Sequence, residues 1–340
     1  MLAMILALFL VALVSAGAVY QLMGARRWAR TCVLPGRMID VGGHRLHTVC
    51  MGNGTPVVVF ESGIAASSLS WTHVLPEVAK FTRACAYDRA GLAWSETAKS
   101  PRTLERIVDD LRAVLVKVAI TQPFVLVGHS FGCFVVCTYA SRHPNEIAGM
   151  VLVDPPAPSE WRQPTTGQTR LLRGGIILAH IGGLLARVGV VRVCLTLLTG
   201  GSPRVPRTVM QIFGSTTART LERLVGEVRK LPPELHTVVQ ELWCQPKCFR
   251  AMADYLGVLQ EGAAFVAGLR SLPDVPVVTI SSGDQLRERV GDYYDLASLS
   301  SKGRHIVARR SGHWIQFDQP ELVATAIREV VDQSRRGAVL

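Results

Sequence analysis

The pentapeptide Gly128-His129-Ser130-Phe131-Gly132 sets a serine between two glycines, after the apolar run Pro123–Gly128 and before the helix-like stretch Phe131–Arg142. A sharp strand-to-helix turn there would lift the hydroxyl clear of the sheet, and the glycines would let the backbone bend without a Cβ clash. The helix behind the turn would add free N–H groups and a positive dipole end. Serine is a weak nucleophile until a base takes its proton. His313, in Ser311-Gly312-His313-Trp314-Ile315, stands five residues beyond the apolar run Arg304–Ala308 and is the candidate base. His305 falls inside that run, where a packed histidine is the ordinary expectation, and His129 within the turn would point away. The imidazole needs a carboxylate to hold its tautomer. Asp284, which follows the run Pro276–Ile280, is the first choice; Asp154, which ends Ala148–Asp154, is the alternative. Both are expected at the C-terminal edge of a sheet, where open α/β folds bind ligands. An oxyanion hole requires two amides aimed at the developing charge: that of Phe131, and that of Ile64 in the loop Glu61-Ser62-Gly63-Ile64. Such a set would carry out acyl transfer through an acyl-serine, with no cofactor and no metal.

The elements needed to position these groups can be read along the chain. Met38–Val41 and Arg45–Met51 read as a hairpin around Gly42-Gly43, and Pro56–Glu61 as a buried strand. Trp71–Phe81 reads as helix, Thr82–Tyr87 as strand, and Thr103–Val118 as helix with Thr103 as its N-cap. Two more strands, Pro123–Gly128 and Ala148–Asp154, flank the helix that opens at Phe131. This alternation predicts an α/β fold with a mostly parallel sheet. It stops at Pro155. Helical stretches follow at Ile176–Leu198, Thr217–Lys230 and Leu235–Leu259, broken by Gly-Gly and Pro-Pro pairs and by Pro246. The sheet pattern then resumes with Pro276–Ile280, a helix at Asp292–Leu299, the strand Arg304–Ala308 and a last helix, Pro320–Asp332. The expected organisation is a basic-flanked N-terminal segment (1–30), a first core part (31–154), a helical insertion (155–268) and a second core part (269–340).

Composition limits the partners. The 340 residues are 49% hydrophobic and 19% charged, with a net charge of +11. The basic excess gathers in 1–30 and 155–265 without aromatic interleaving or zinc-finger spacing, which argues against nucleic acid. No side chain is charged before Arg26, and Leu2–Val19 is almost wholly apolar, long enough to cross a bilayer. Residues 2–23 therefore predict a single-pass membrane anchor. The alternative is a signal peptide cleaved near Ala16-Gly17-Ala18, which would release a secreted enzyme. The positive-inside rule, applied to Arg26, Arg27 and Arg30, puts the main domain in the cytoplasm. The eight cysteines leave the redox compartment open: Cys50, Cys85, Cys133 and Cys137 are expected as buried reduced thiols, and Cys244-x-x-x-Cys248 has neither zinc-ligand partners nor a CxxC spacing.

Taken together, these residues resemble the α/β-hydrolase fold superfamily in its serine-nucleophile branch, over about 36–154 and 270–335. Tyr87–Ser95 (YDRAGLAWS) is similar to the family's DRxGxGxS segment, with Ala93 in place of the second glycine. The resemblance implies that Asp88 and Arg89 are structural and line the floor of the site. It implies that the acid follows either of the two strands already named, and that 155–268 is a variable helical lid. Glu61-Ser62-Gly63 stands where many members carry His-Gly. Serine at the turn separates the chain from the dehalogenase and epoxide-hydrolase branches, which use aspartate there. The expected activity is hydrolysis of a hydrophobic carboxylic ester, with lipids among the candidate substrates, in an esterase- or lipase-like manner. An acyltransferase, a peptidase, a C–C bond hydrolase and a non-catalytic ligand-binding protein are the alternatives on the same scaffold.

Overall fold

A computed structural model describes residues 1–120, 123–199, 227–283 and 296–337. They form two compact units, one of Pro35–Gly174 with Asp254–Leu340, the other of Met1–Leu34 with Gly175–Ala253. The larger unit is built on one eight-stranded sheet: β1 (Arg37–Asp40), β2 (Arg45–Met51), β3 (Val58–Glu61), β4 (Ala84–Tyr87), β5 (Phe124–His129), β6 (Ile147–Val153), β7 (Val277–Ser282) and β8 (Gly303–Ala308). Their order is β1-β2-β4-β3-β5-β6-β7-β8. The β1/β2 and β2/β4 pairs are antiparallel and every later pair is parallel.

Strands β3, β5 and β6 are buried along their whole length, as their continuous β-branched runs require of strands covered on both faces. In chain order the described α-helices are α1 (Leu2–Thr31), α2 (Leu75–Ala79), α3 (Leu104–Lys117), α4 (Phe131–Arg142), α5 (Pro158–Arg162), α6 (Thr166–Arg187), α7 (Val190–Thr199), α8 (Pro233–Trp243), α9 (Pro246–Ala267), α10 (Ile315–Asp318) and α11 (Pro320–Gly337). α3 begins as its sequence predicts, with the Thr103 hydroxyl accepting from the Arg106 amide. α11 buries Val323, Ala326, Ile327, Val330 and Val331, one stripe of helical period, in a core with Val58, Val125, Val151 and Val278 of the sheet.

The break expected at Pro246 is present: Leu235–Leu259 is divided between α8 and α9, and Pro246 opens α9. Three expectations change. Trp71–Phe81 is not one helix but a 3₁₀ turn (Ser68–Trp71) followed by the short α2. Ile176–Leu198 is interrupted between α6 and α7 not at a Gly-Gly pair but at Gly189, which takes φ +77°. The third concerns the thiols. Cys50 and Cys85 are not reduced but form a disulfide, because the β2/β4 register sets them directly opposite each other at a Cα separation of 4.1 Å. Most of the helix expected over Thr217–Lys230, and the start of the one at Asp292, lie outside the described residues.

Candidate active site

Three strand ends converge. β5 runs into α4 through Ser130, which adopts φ +53° and ψ −126°, a conformation that L-residues reach only at a cost. The glycines make the turn sterically possible. A Cβ on Gly132 would lie 2.6 Å from the Glu61 carbonyl oxygen, and one on Gly128 would lie 2.8 Å from the Cys133 amide nitrogen. The Ser130 amide donates to Val153 at the end of β6, at 2.9 Å. The next residue, Asp154, is itself at φ +46° and its amide donates to Ile280 of β7 at 2.7 Å. The elbow and the carboxylate are thus tied to each other through the main chain of adjacent strands.

Asp154 is buried, and both its oxygens are engaged. Oδ1 accepts from the Ser282 amide at 2.8 Å, and Oδ2 accepts from His313 Nδ1 at 2.6 Å. A carboxylate can only accept, so Nδ1 carries the hydrogen and the lone pair of His313 is on Nε2. His313 keeps 38% of its side chain exposed beyond β8. Asp284, the acid placed first from the sequence, lies outside the described residues. The one Nδ1 hydrogen of His313 is taken by Asp154.

His129 does not point idly away. It is fully buried, its Nε2–H donates to the His313 carbonyl at 2.9 Å, and its ring lies 4.9 Å from that of Trp314. Burial, with His313 alongside, pushes its pKa down from 6.5 to about 3, so it stays neutral. His305 packs within β8 and meets the Ser281 hydroxyl at 3.1 Å. Cys133, one turn into α4, is buried with its pKa pushed well up, which leaves an inert thiol beside the elbow.

The loop after β3 flanks the serine. A Cβ on Gly63 would lie 3.3 Å from that of Ser130, so this backbone passes directly against the elbow. Ile64 follows on that loop and Phe131 opens α4, where first-turn amides have no partner within the helix. The loop is held from below by Arg89, which donates to the carboxylate of Glu61 and to the carbonyls of Ser62 and Gly63. Its guanidinium lies 5.3 Å from the Phe131 ring centre and 4.7 Å from that of Tyr255. Tyr87 also donates to Glu61, and Asp88 accepts from the Ser68 amide at 2.7 Å and bonds His47 at 2.8 Å. Ser62 Oγ donates to the Ser67 carbonyl at 2.9 Å.

The comparisons agree with this architecture. Residues 56–169 match a family model described as alpha/beta hydrolase fold. A thermophilic esterase from Thermogutta terrifontis superposes with a TM-score of 0.57 at 18% identity, covering 86% of this chain and 94% of that one. An alpha/beta hydrolase fold protein from Burkholderia ambifaria gives 0.59 at 19%, covering 86% and 99%. The fold is that of the alpha/beta hydrolases. Among curated proteins, epoxide hydrolase A of Mycobacterium tuberculosis is 25% identical over 329 residues, 86% of this chain and 96% of that protein. The chain spans 18%, 41% and 46% of the lengths of three other curated relatives that it matches more locally.

Within this alpha/beta hydrolase fold, sequence reasoning missed two residues. One is His129, whose buried ring bonds the backbone of His313. The other is Arg89 as the clamp of the loop after β3; its signal was the acidic Glu61, an uncompensated charge in an otherwise apolar strand.

Proposed function

We propose that the protein is a serine hydrolase acting on a hydrophobic carboxylic ester. In this reading Ser130 attacks the ester carbonyl while His313 Nε2 takes its proton, and Asp154 steadies the imidazolium. The amides of Ile64 and Phe131 face the oxyanion of the tetrahedral intermediate. Collapse expels the alcohol, which takes its proton from His313, and leaves an acyl-Ser130. Water, activated by the same imidazole, then releases the acid. The observation that carries this is the 2.6 Å bond from His313 Nδ1 to Asp154 at the end of β6, with a serine held at positive φ at the end of the neighbouring strand β5. Serine in place of a carboxylate at the elbow favours an ester over an epoxide or an alkyl halide. A fluorophosphonate probe tests it: wild type is expected to label with one equivalent and Ser130→Ala not at all. Labelling of Ser130→Ala, or none of wild type, contradicts the assignment.

The insertion is rich in Leu, Ile and Val; in this reading it favours a hydrophobic acyl group, so turnover of p-nitrophenyl esters is expected to rise from acetate toward longer chains. The apolar α1 supports retention at a membrane through residues 2–23. The Cys50–Cys85 disulfide supports a hydrolase unit facing an oxidising compartment, the reverse of the orientation that Arg26, Arg27 and Arg30 would set.

A further inference from the structure

Three helices of the smaller unit are built the wrong way round for water. α1 turns small and polar residues inward. A Cβ on Gly17 would lie 2.2 Å from the Val188 carbonyl oxygen, and one on Gly24 would lie 2.5 Å from the Arg192 guanidinium. Between them Gln21 is buried, with Nε2 donating to the Cys244 carbonyl and Oε1 accepting from Arg192 Nε, both at 2.9 Å. α7 buries that arginine, whose Nη1 donates to Glu241 at 2.6 Å, yet leaves Val190, Val193 and Leu197 between 41% and 45% exposed. The part of α6 in this unit repeats the pattern. Ala179 and Ala186 are buried and Gly182 and Gly183 sit against Phe249, while Ile177, Leu178, Ile181 and Leu184 are 40% to 60% exposed. A helix in water buries its large aliphatics and shows its polar face. In lipid the arrangement inverts: small residues and paired polar groups join the helices, and the aliphatics face outward.

Charge and length point to the same surroundings. Apart from the buried, paired Arg192, α1, α6 and α7 hold six arginines, all exposed, and no aspartate or glutamate, which suits an anionic headgroup layer. α6 as a whole, Thr166–Arg187, is long and apolar enough to cross a membrane, but Arg170 and Arg173 in its first turns leave an apolar part, 174–186, of about 20 Å at 1.5 Å per residue, short of the ~30 Å of a hydrocarbon core. Such a helix lies along the interface and does not cross it. Gly17–Gly24, where α1 receives α7, is the end of the apolar span next to Arg26, at the depth where an interfacial helix sits.

We propose that the exposed faces of α6 and α7 form a membrane-docking surface, with Ile177, Ile181, Leu184, Val193 and Leu197 sunk in the leaflet that α1 enters. The inference rests on the reading of α1 as a retained anchor. An enzyme seated this way meets its ester already dissolved in the bilayer. The test is photolabelling of the full chain, reconstituted in phosphatidylcholine–phosphatidylglycerol vesicles, by a membrane-soluble aryl diazirine, with the adducts mapped by peptide mass. Label is expected on Leu2–Val19 and on the named residues of α6 and α7, with α3 and α11 unlabelled. In Ile181→Glu/Leu184→Glu, the α6 label should be lost and the α1 label kept. Label confined to α1 overturns the docking surface and leaves the anchor standing. Label on none of the three helices removes the anchor reading as well. An unlabelled α6–α7 face that cross-links between chains overturns the proposal and assigns the face to a second copy.

Discussion

At the residue scale, the proposed chemistry depends on one hydrogen of one imidazole being held on Nδ1. Replacing Asp154 by Asn keeps the shape but lets the amide donate, which favours the wrong tautomer. Asp154→Asn is expected to lower kcat by about 10⁴-fold, whereas Asp284→Asn should leave most of the activity, as read on a p-nitrophenyl ester. His129 makes a second prediction. Its pKa in the folded chain, about 3, lies below the 6.5 it regains on unfolding. The unfolded chain therefore binds the extra proton between those values, and stability falls as pH drops through that window. The slope from this group is about 1.4 kcal/mol per pH unit. His129→Gln should flatten the fall of the urea midpoint between pH 6 and pH 4, and an unchanged profile would count against a buried neutral ring. Ser130 and His313 stand out in the sequence because each sits in a short local pattern. The acid does not: Asp154 and Asp284 each follow a strand, β6 beside β5 and β7 one strand further on. The bond of His313 to Asp154 spans 159 residues, a contact that separation along the chain does not carry.

At the scale of elements, the elbow works because β3 and α4 approach closely and Arg89 holds the loop between them. Glu61 and Arg89 are a buried pair, and removing one partner strands the other's charge. Arg89→Ala should cost about 3–5 kcal/mol in the unfolding midpoint, with a loss of kcat greater than any change in KM as the Ser62–Gly63 backbone loosens. The central strands were legible as apolar runs and α3 through its Thr103 cap. Gly189, which separates α6 from α7, was passed over, because a lone glycine inside an apolar helical run carries no marker of its turn. The Cys50–Cys85 bond was hidden for a different reason, since only the antiparallel register of β2 with β4 brings two distant cysteines face to face. It closes a loop of 35 residues, so Cys50→Ser should lower stability by about 3–4 kcal/mol.

At the scale of the whole molecule, an α/β sheet carries the chemistry and a separate helical unit carries the apolar surface. Six of the eight cysteines are free thiols, so protein denatured without reductant should release six equivalents in a thiol titration, and eight would return the chain to a reducing compartment. The proposed acyl-serine can be caught directly by rapid mixing with a p-nitrophenyl ester, an acid quench and peptide mass mapping. A burst of about one equivalent of p-nitrophenol and an acyl group on Ser130 are expected, both absent in Ser130→Ala. Turnover by that variant at the wild-type rate, or an acyl group on any other side chain, would contradict it.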